Sequence, residues 1–359
     1  MINFNLNQLL KLRSLILDKK YLFIELSMNF KKASKYLIGI LLAMLFLYFA
    51  FKDVDLQLLV NTLSNANYFW ILIFFLIQVL SHVIRAWRWK YLLSHIKQNI
   101  SLRNLFSGVM IGYLVNNFIP RGGEIARPYA LGKLENISIS SSLATVIVER
   151  VLDVLTLLLL VIFALIYNYD VLICNFPWLE IAVIVALIVS AVGLGFLVIL
   201  SIKTEIAFKI IRKFTSVLPK KIADKIETLV IAFIDGLLVI KNPKSYLNII
   251  FGTLLLWFAY TMQYYIPFYS FNMVDAYSLT IMSAVVLNCI LAISIMIPVP
   301  GATGTFHAFC IQALTGLFLV DVATAAAYST VVHAVGLIGI TIIGLVFFLK
   351  DNIKLSHIT

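Results

Sequence analysis

Arg121, Glu124 and Arg127, followed by Glu149, Arg150 and Asp153, put three bases and three acids into a stretch of chain whose neighbours are largely apolar. The second trio sits in Val146-Ile147-Val148-Glu149-Arg150-Val151-Leu152-Asp153-Val154, which otherwise reads as a membrane helix. A charge at membrane depth costs about 2.5–3.5 kcal/mol on insertion scales, so charges retained there usually serve function. Glu149 and Asp153 are four positions apart and share a helical face, with Arg150 offset by one. Gathered together, the six charges nearly cancel. The chemistry this permits is anion recognition. Arg121 or Arg127 can grip a phosphate through paired hydrogen bonds, while the carboxylates orient the guanidinium groups or relay protons. The competing readings are a structural ion-pair network and a cluster lying at the membrane surface.

Two helix-breaking stretches frame these residues. The first is Ile119-Pro120-Arg121-Gly122-Gly123-Glu124, and the second is Ile297-Pro298-Val299-Pro300-Gly301-Ala302-Thr303-Gly304-Thr305-Phe306-His307. Proline removes a backbone donor and glycine loosens a turn, so each stretch frees N–H and C=O groups. Lipid cannot pair such groups, so broken backbone at membrane depth must face protein or water. Two such breaks in corresponding halves mark a transporter's binding site. Pro120, Gly122, Gly123, Pro298, Pro300, Gly301 and Gly304 are therefore the expected turn and gate residues. His307 would stand near a helix N-terminus beside the second break, where partial positive charge suits an anion. It could bond a ligand or gate by protonation, or it could be a satisfied core histidine.

The rest of the chain must hold these turns in a membrane. Of its 359 residues, 62% are hydrophobic and 13% charged, and the mean hydropathy is +1.00. A soluble domain of that composition would expose mostly apolar side chains, so the class is a polytopic, all-α membrane protein. The formal +11 is explained by positive loops that set topology and touch anionic lipid, rather than by nucleic acid. Cys174, Cys289 and Cys310 show no metal or redox spacing and read as small core residues. No metal, cofactor or catalytic residue is expected.

Apolar windows fall at about 36–51, 67–84, 104–119, 141–167, 179–202, 246–270, 279–297 and 304–349. Basic residues precede the first, follow the second and fill 203–244, which carries nine. If 104–119 crossed completely, that nine-positive loop would lie outside. If 101–140 dips in and returns, every basic loop is cytoplasmic. Residues 279–320 would dip in from the opposite face, although two full spans fit there also. The expectation is about six full spans, two re-entrant helical hairpins, an inverted repeat, and both termini cytoplasmic. Residues 1–34 form a basic lead-in (Met1 or Met28 being the start), 35–350 the transmembrane domain with 203–244 as an interfacial loop, and 351–359 the tail. The Trp87/Trp89/Tyr91 cluster reads as an interfacial aromatic belt, and His82 and His333 as core histidines.

Four motifs in order, Arg85-Ala86-Trp87-Arg88-Trp89, Pro120-Arg121-Gly122-Gly123-Glu124…Arg127, Glu149-Arg150-Val151-Leu152-Asp153 and Pro298-Val299-Pro300-Gly301…Gly304, resemble the membrane region of the lysylphosphatidylglycerol synthase/flippase family. The resemblance covers nearly all of 35–350 and implies a lipid-translocating domain with two re-entrant hairpins. Relatives tend to carry Pro-Gly-Gly with a Glu seven residues after the Pro, whereas here Ala302 replaces a Gly and His307 stands at the acid's place. No soluble aminoacyl-transferase domain follows, so lipid aminoacylation is not expected. The expected function is movement of a phospholipid or lipid-linked glycan, with an anionic head group, between leaflets of a bacterial inner membrane. The alternatives are a non-transporting membrane partner of a lipid-modifying or glycosyl-transferring enzyme, docking through 203–244, and an integral-membrane transferase. Homo-oligomerisation stays open.

Overall fold

The computed structural model describes residues 37–175 and 245–353, with scattered helical positions between 181 and 195 and between 223 and 228. The expected basic lead-in and most of the expected 203–244 loop fall outside the described residues. Among the described residues every regular element is a helix.

Among the described residues, three helices are long and apolar enough to cross a membrane: α3 (Tyr68–Leu92), α7 (Tyr246–Ser270) and α11 (Val322–Lys350). Before them, α1 (Leu37–Phe51) bends by 88° into α2 (Leu56–Ser64), and the two together could make a fourth. Asp55 makes the bend, because its carboxylate accepts from the amides of Gln57 and Leu58 and so caps α2. Residues 56–64 fall between the apolar windows at 36–51 and 67–84. Their Leu56, Leu59, Val60 and Leu63 spacing marks an amphipathic helix.

Between α3 and α7 lie α4 (Leu102–Phe118), α5 (Gly123–Glu135) and α6 (Ile139–Asn175). After α7 come the short α8 (Met273–Tyr277), then α9 (Ile281–Ser294), a 3-10 turn at Pro300–Ala302, and α10 (Thr305–Phe318). At 17 and 13 residues, α4 and α5 are about 25 and 20 Å long, and the 14-residue α9 and α10 are similar. All four fall short of the ~30 Å hydrocarbon core.

Each pair folds back as a hairpin. In the first, α4 and α5 touch backbone to backbone: a Cβ on Gly123 would collide with the Gly112 carbonyl, and a Cβ on Gly112 would lie 3.0 Å from that of Arg127. The Asn116 side chain accepts from the Gly123 amide at 2.7 Å and satisfies a donor that the break set free. At the hairpin's open end Glu135 accepts from Lys97, Asn104 and the Ser101 amide. Arg103 and Ser107 there both bind Asp351, just past α11. The expected tail is thus part of the fold over its first residues, because Ile353 is buried as well.

The second hairpin opens at the other end of α11, where Tyr277 donates to Asp321, the N-cap of α11. Its turn depends on Gly304, whose φ of 88° and closeness to the Ala43 carbonyl (2.5 Å from any Cβ) exclude other residues without strain. The two turns meet halfway along α11. His333 bonds the Gly301 carbonyl at 2.9 Å, Asn117 donates to Thr341 at 2.7 Å, and Arg121 donates across to the Met296 carbonyl at 3.0 Å. Apolar packing divides at the same level. One core holds hairpin two with Ala325–Val332, and another holds hairpin one with α3, α6 and Ile340. Cys310 is a buried member of the first core, and Cys289 is buried in a smaller cluster with Leu157, Val161 and Trp257, both as expected.

Candidate functional site

The site lies where α3, α5 and α6 converge beside hairpin one. Helix α3 does not end at residue 84 but runs on to Leu92, so Arg85 and Arg88 belong to a helix face and not to a loop. They are three apart, as Glu149 and Asp153 are four apart, and the two faces meet. Arg85 lies 3.2 Å from Glu149 and 3.0 Å from Asp153. Arg88 reaches the same two carboxylates at 3.3 and 2.8 Å and donates to Thr253 of α7 at 3.1 Å. Arg127, brought by α5, pairs with both oxygens of Glu149 at 3.0 Å.

All five charges are buried. Exposure is 5% for Arg85, 0% for Arg88, 4% for Arg127, 0% for Glu149 and 8% for Asp153. Three guanidinium groups thus face two carboxylates, leaving one positive charge in excess inside the protein. Burying an ion is costly unless it is paired and hydrogen-bonded, so the excess favours an anionic visitor. Two guanidinium groups also keep an unused donor, since the Nε atoms of Arg88 and Arg127 have no hydrogen-bond partner, while the Nε of Arg85 faces Glu149 at 3.2 Å.

Second contacts fix the orientation of these arginines. Tyr113 of α4 accepts from Arg85. The Arg127 guanidinium stacks 3.8 Å from the Trp89 ring, and Trp89 donates to Thr145 at 2.9 Å. The expected aromatic belt is therefore corrected at Trp89, which is fully buried and supports Arg127. His82, one turn before Arg85, packs against Tyr113 with both ring nitrogens unpaired.

The remaining candidates divide. Arg150 and Glu124 form a half-exposed pair at 3.6 Å, and Arg150 also lies 3.6 Å from Asp153, so these two residues cover the buried cluster from outside. Arg121 does not join Arg127. It stands exposed at the hairpin tip with φ 62° and holds the second turn. His307 is buried near that second turn, accepts from the Gly304 amide at 3.4 Å and lies 4.6 Å from His333, ring centre to ring centre. It faces neither the arginines nor the acids of the cluster. Pro120, Gly122 and Gly123 form the first tip, and Pro298, Pro300, Gly301 and Gly304 the second. Sequence reasoning missed Arg85 and Arg88 as site residues. Their three-residue spacing was the available signal, and it was masked because basic residues after an apolar run also read as a cytoplasmic loop.

The comparisons with known proteins agree with the membrane architecture. A UPF0104 membrane protein of Methanocaldococcus jannaschii is 32% identical over 139 residues, covering 38% of this chain and 41% of that protein. A UPF0104 membrane protein of Pyrococcus horikoshii is 30% identical over 141 residues, with the same coverage of each. The matches thus span about two-fifths of the length of these relatives. The family model described as the lysylphosphatidylglycerol synthase TM region matches residues 36–344, which include all four motifs, both hairpins and the buried cluster. The chain therefore belongs to the lysylphosphatidylglycerol synthase transmembrane-region family.

Proposed function

We propose that this protein moves a lipid with an anionic head group, a phospholipid or a lipid-linked glycan, between the leaflets of a cytoplasmic membrane. The observation that carries this reading is the buried cluster in which Arg85, Arg88 and Arg127 outnumber Glu149 and Asp153. A phosphate would take the unused Nε donors of Arg88 and Arg127 and offset the excess charge. The Glu124–Arg150 pair, half exposed, is the door to that cluster. The reading is of a carrier rather than a catalyst, because each buried carboxylate is held by two or more guanidinium groups and neither is placed to take a proton from a substrate.

The topology that goes with it has six full spans, two re-entrant hairpins entering from opposite faces, and both termini cytoplasmic. Its support is the meeting of the two tips halfway along a 29-residue helix about 43 Å long. It is also the arrangement that keeps Lys97, Arg103, Lys133 and the 203–244 positives on one side. The paired hairpins and their separate apolar cores fit an inverted repeat. The test is a vesicle assay with the purified protein and head-group-labelled lipids. Anionic lipid should reach the opposite leaflet faster than in protein-free vesicles and faster than zwitterionic lipid. Equal traces with and without protein would refute transport and favour the role of a docking partner for a lipid-modifying enzyme.

A further inference from the structure

The face opposite the arginine cluster carries a second polar feature that the transport reading does not use. Where α2 passes the corner between α7 and α8, a groove of about 430 Å³ opens. That volume lies within the ~300–1,000 Å³ typical of small-molecule sites. Its polar lining is Asn61, Thr62, Asn65, Asn67, Ser270 and Asn272, and no charged side chain lines it. The Asn67 amide donates to the Ser270 carbonyl at 2.9 Å and closes the floor.

The chemistry of this lining is selective. Thr62 donates to the Leu58 carbonyl, Asn65 to the Asn61 carbonyl, and Asn67 accepts from the Phe69 amide. A carboxamide both donates and accepts, as a hydroxyl does, so the groups left over match a ligand rich in hydroxyl groups. An anion would call for positive charge and a cation for carboxylates, and neither is present. Tyr269, also in the lining, stacks on Trp70 at 5.0 Å and offers an aromatic face of the kind that packs on a sugar ring. A separate observation points the same way. The Ser270 hydroxyl is buried, in a residue only 4% exposed, and has no hydrogen-bond partner. A buried polar group without a partner is costly, and Ser270 belongs to the groove's lining, so a ligand or water that reached its hydroxyl would be favoured.

The position identifies the source. Leu56 and Val60 are exposed on the apolar face of α2, which lies at 88° to α1, as a helix in the membrane surface would. The groove is therefore level with lipid head groups. We propose that it binds the neutral, hydroxyl-rich head group of a glycosylated lipid. This site is independent of the arginine cluster: Asn67 and Arg85 are 18 residues apart along or just before α3, about 27 Å, so each site can be occupied or emptied alone.

The test is native mass spectrometry of the full chain in a polyoxyethylene detergent, which carries no sugar. The probes are diglucosyl diacylglycerol, phosphatidic acid and free maltose. Diglucosyl diacylglycerol should bind saturably, and both Asn61→Ala/Asn65→Ala and Ser270→Ala should weaken it about tenfold or more while leaving phosphatidic acid binding unchanged. Ser270→Ala removes no protein hydrogen bond, so thermal stability should hold or rise, which separates loss of binding from loss of fold. Arg127→Gln should leave glycolipid binding intact, so failure of the transport reading and failure of this one are distinguishable. Maltose binding as tightly as the glycolipid would support the hydroxyl site and assign it to free sugar. No glycolipid binding, or binding unchanged in both groove variants, would overturn the proposal.

Discussion

At the scale of single residues, the cluster is governed by charge balance. Removing Arg127 would leave two guanidinium groups facing two carboxylates, a neutral set in which Glu149 keeps Arg85 and Arg88. Removing the Glu149 charge would leave three guanidinium groups with Asp153 alone. Breaking a buried pair so that charge is left uncompensated costs about 3–5 kcal/mol. Glu149→Gln should therefore lower thermal stability far more than Arg127→Gln, and side-by-side melting in one detergent checks the order. Acid stability has a different origin, at Glu135. Partial burial raises its carboxyl pKa, but the bonds from Lys97, Asn104 and the Ser101 amide outweigh this and hold it below the usual range. A depressed acid stabilises the fold fully above its unfolded pKa of about 4.3, and the stabilisation is lost as pH falls below that. Melting followed from pH 7 to pH 3.5 should show Glu135→Gln less stable at neutral pH and less sensitive to acid than the parent. Three of the cluster's five residues, Arg127, Glu149 and Asp153, were legible in the sequence. Glu149 and Asp153 stood out because an acid in an apolar helix is costly without a partner, whether its role is functional or structural. Arg85 and Arg88 did not, because their acids come from a helix some 60 residues later, and nothing local separates a paired arginine from a solvated one.

At the scale of elements, the two hairpins follow from where backbone can and cannot be bulky. Gly123 and Gly112 let α4 and α5 touch along their backbones, which aims Arg127 at Glu149. A methyl group at Gly123 must push the helices apart. Gly123→Ala should cost about 1–3 kcal/mol by the usual price of overpacking. It should also displace Arg127 from Glu149, so head-group binding should fall together with melting temperature. Gly112→Ala, which meets the Arg127 Cβ at 3.0 Å, should act in the same direction and more mildly. The hairpins could be anticipated because proline and glycine interrupt a hydrophobic run visibly. The extension of α3 to Leu92 and the presence of α2 could not be anticipated in the same way. A membrane helix that ends in Arg-Ala-Trp-Arg-Trp has the composition of an interface, and only the packing of Trp89 under Arg127 shows it to be interior. The α2 signal, Asp55 before spaced leucines, was present but short.

At the scale of the whole molecule, polar groups are placed in three tiers. Ionic clasps hold one face through Lys97–Glu135 and Arg103–Asp351, a Tyr277–Asp321 bond holds the other, and the broken tips meet between them. The arginine cluster sits beside hairpin one, between the first clasps and the tips, with Arg121 linking one tip to the other. Under the proposed function, an anionic head group at Arg127 would lie against hairpin one, whose tip meets that of hairpin two. The measurement that addresses this most directly is transfer of head-group-labelled anionic lipid in vesicles containing either the parent protein or Arg127→Gln, matched for thermal stability. The account predicts rapid transfer by the parent and a loss of at least tenfold in the variant, with the melting temperature nearly kept. Undiminished transfer by a folded Arg127→Gln protein would contradict it.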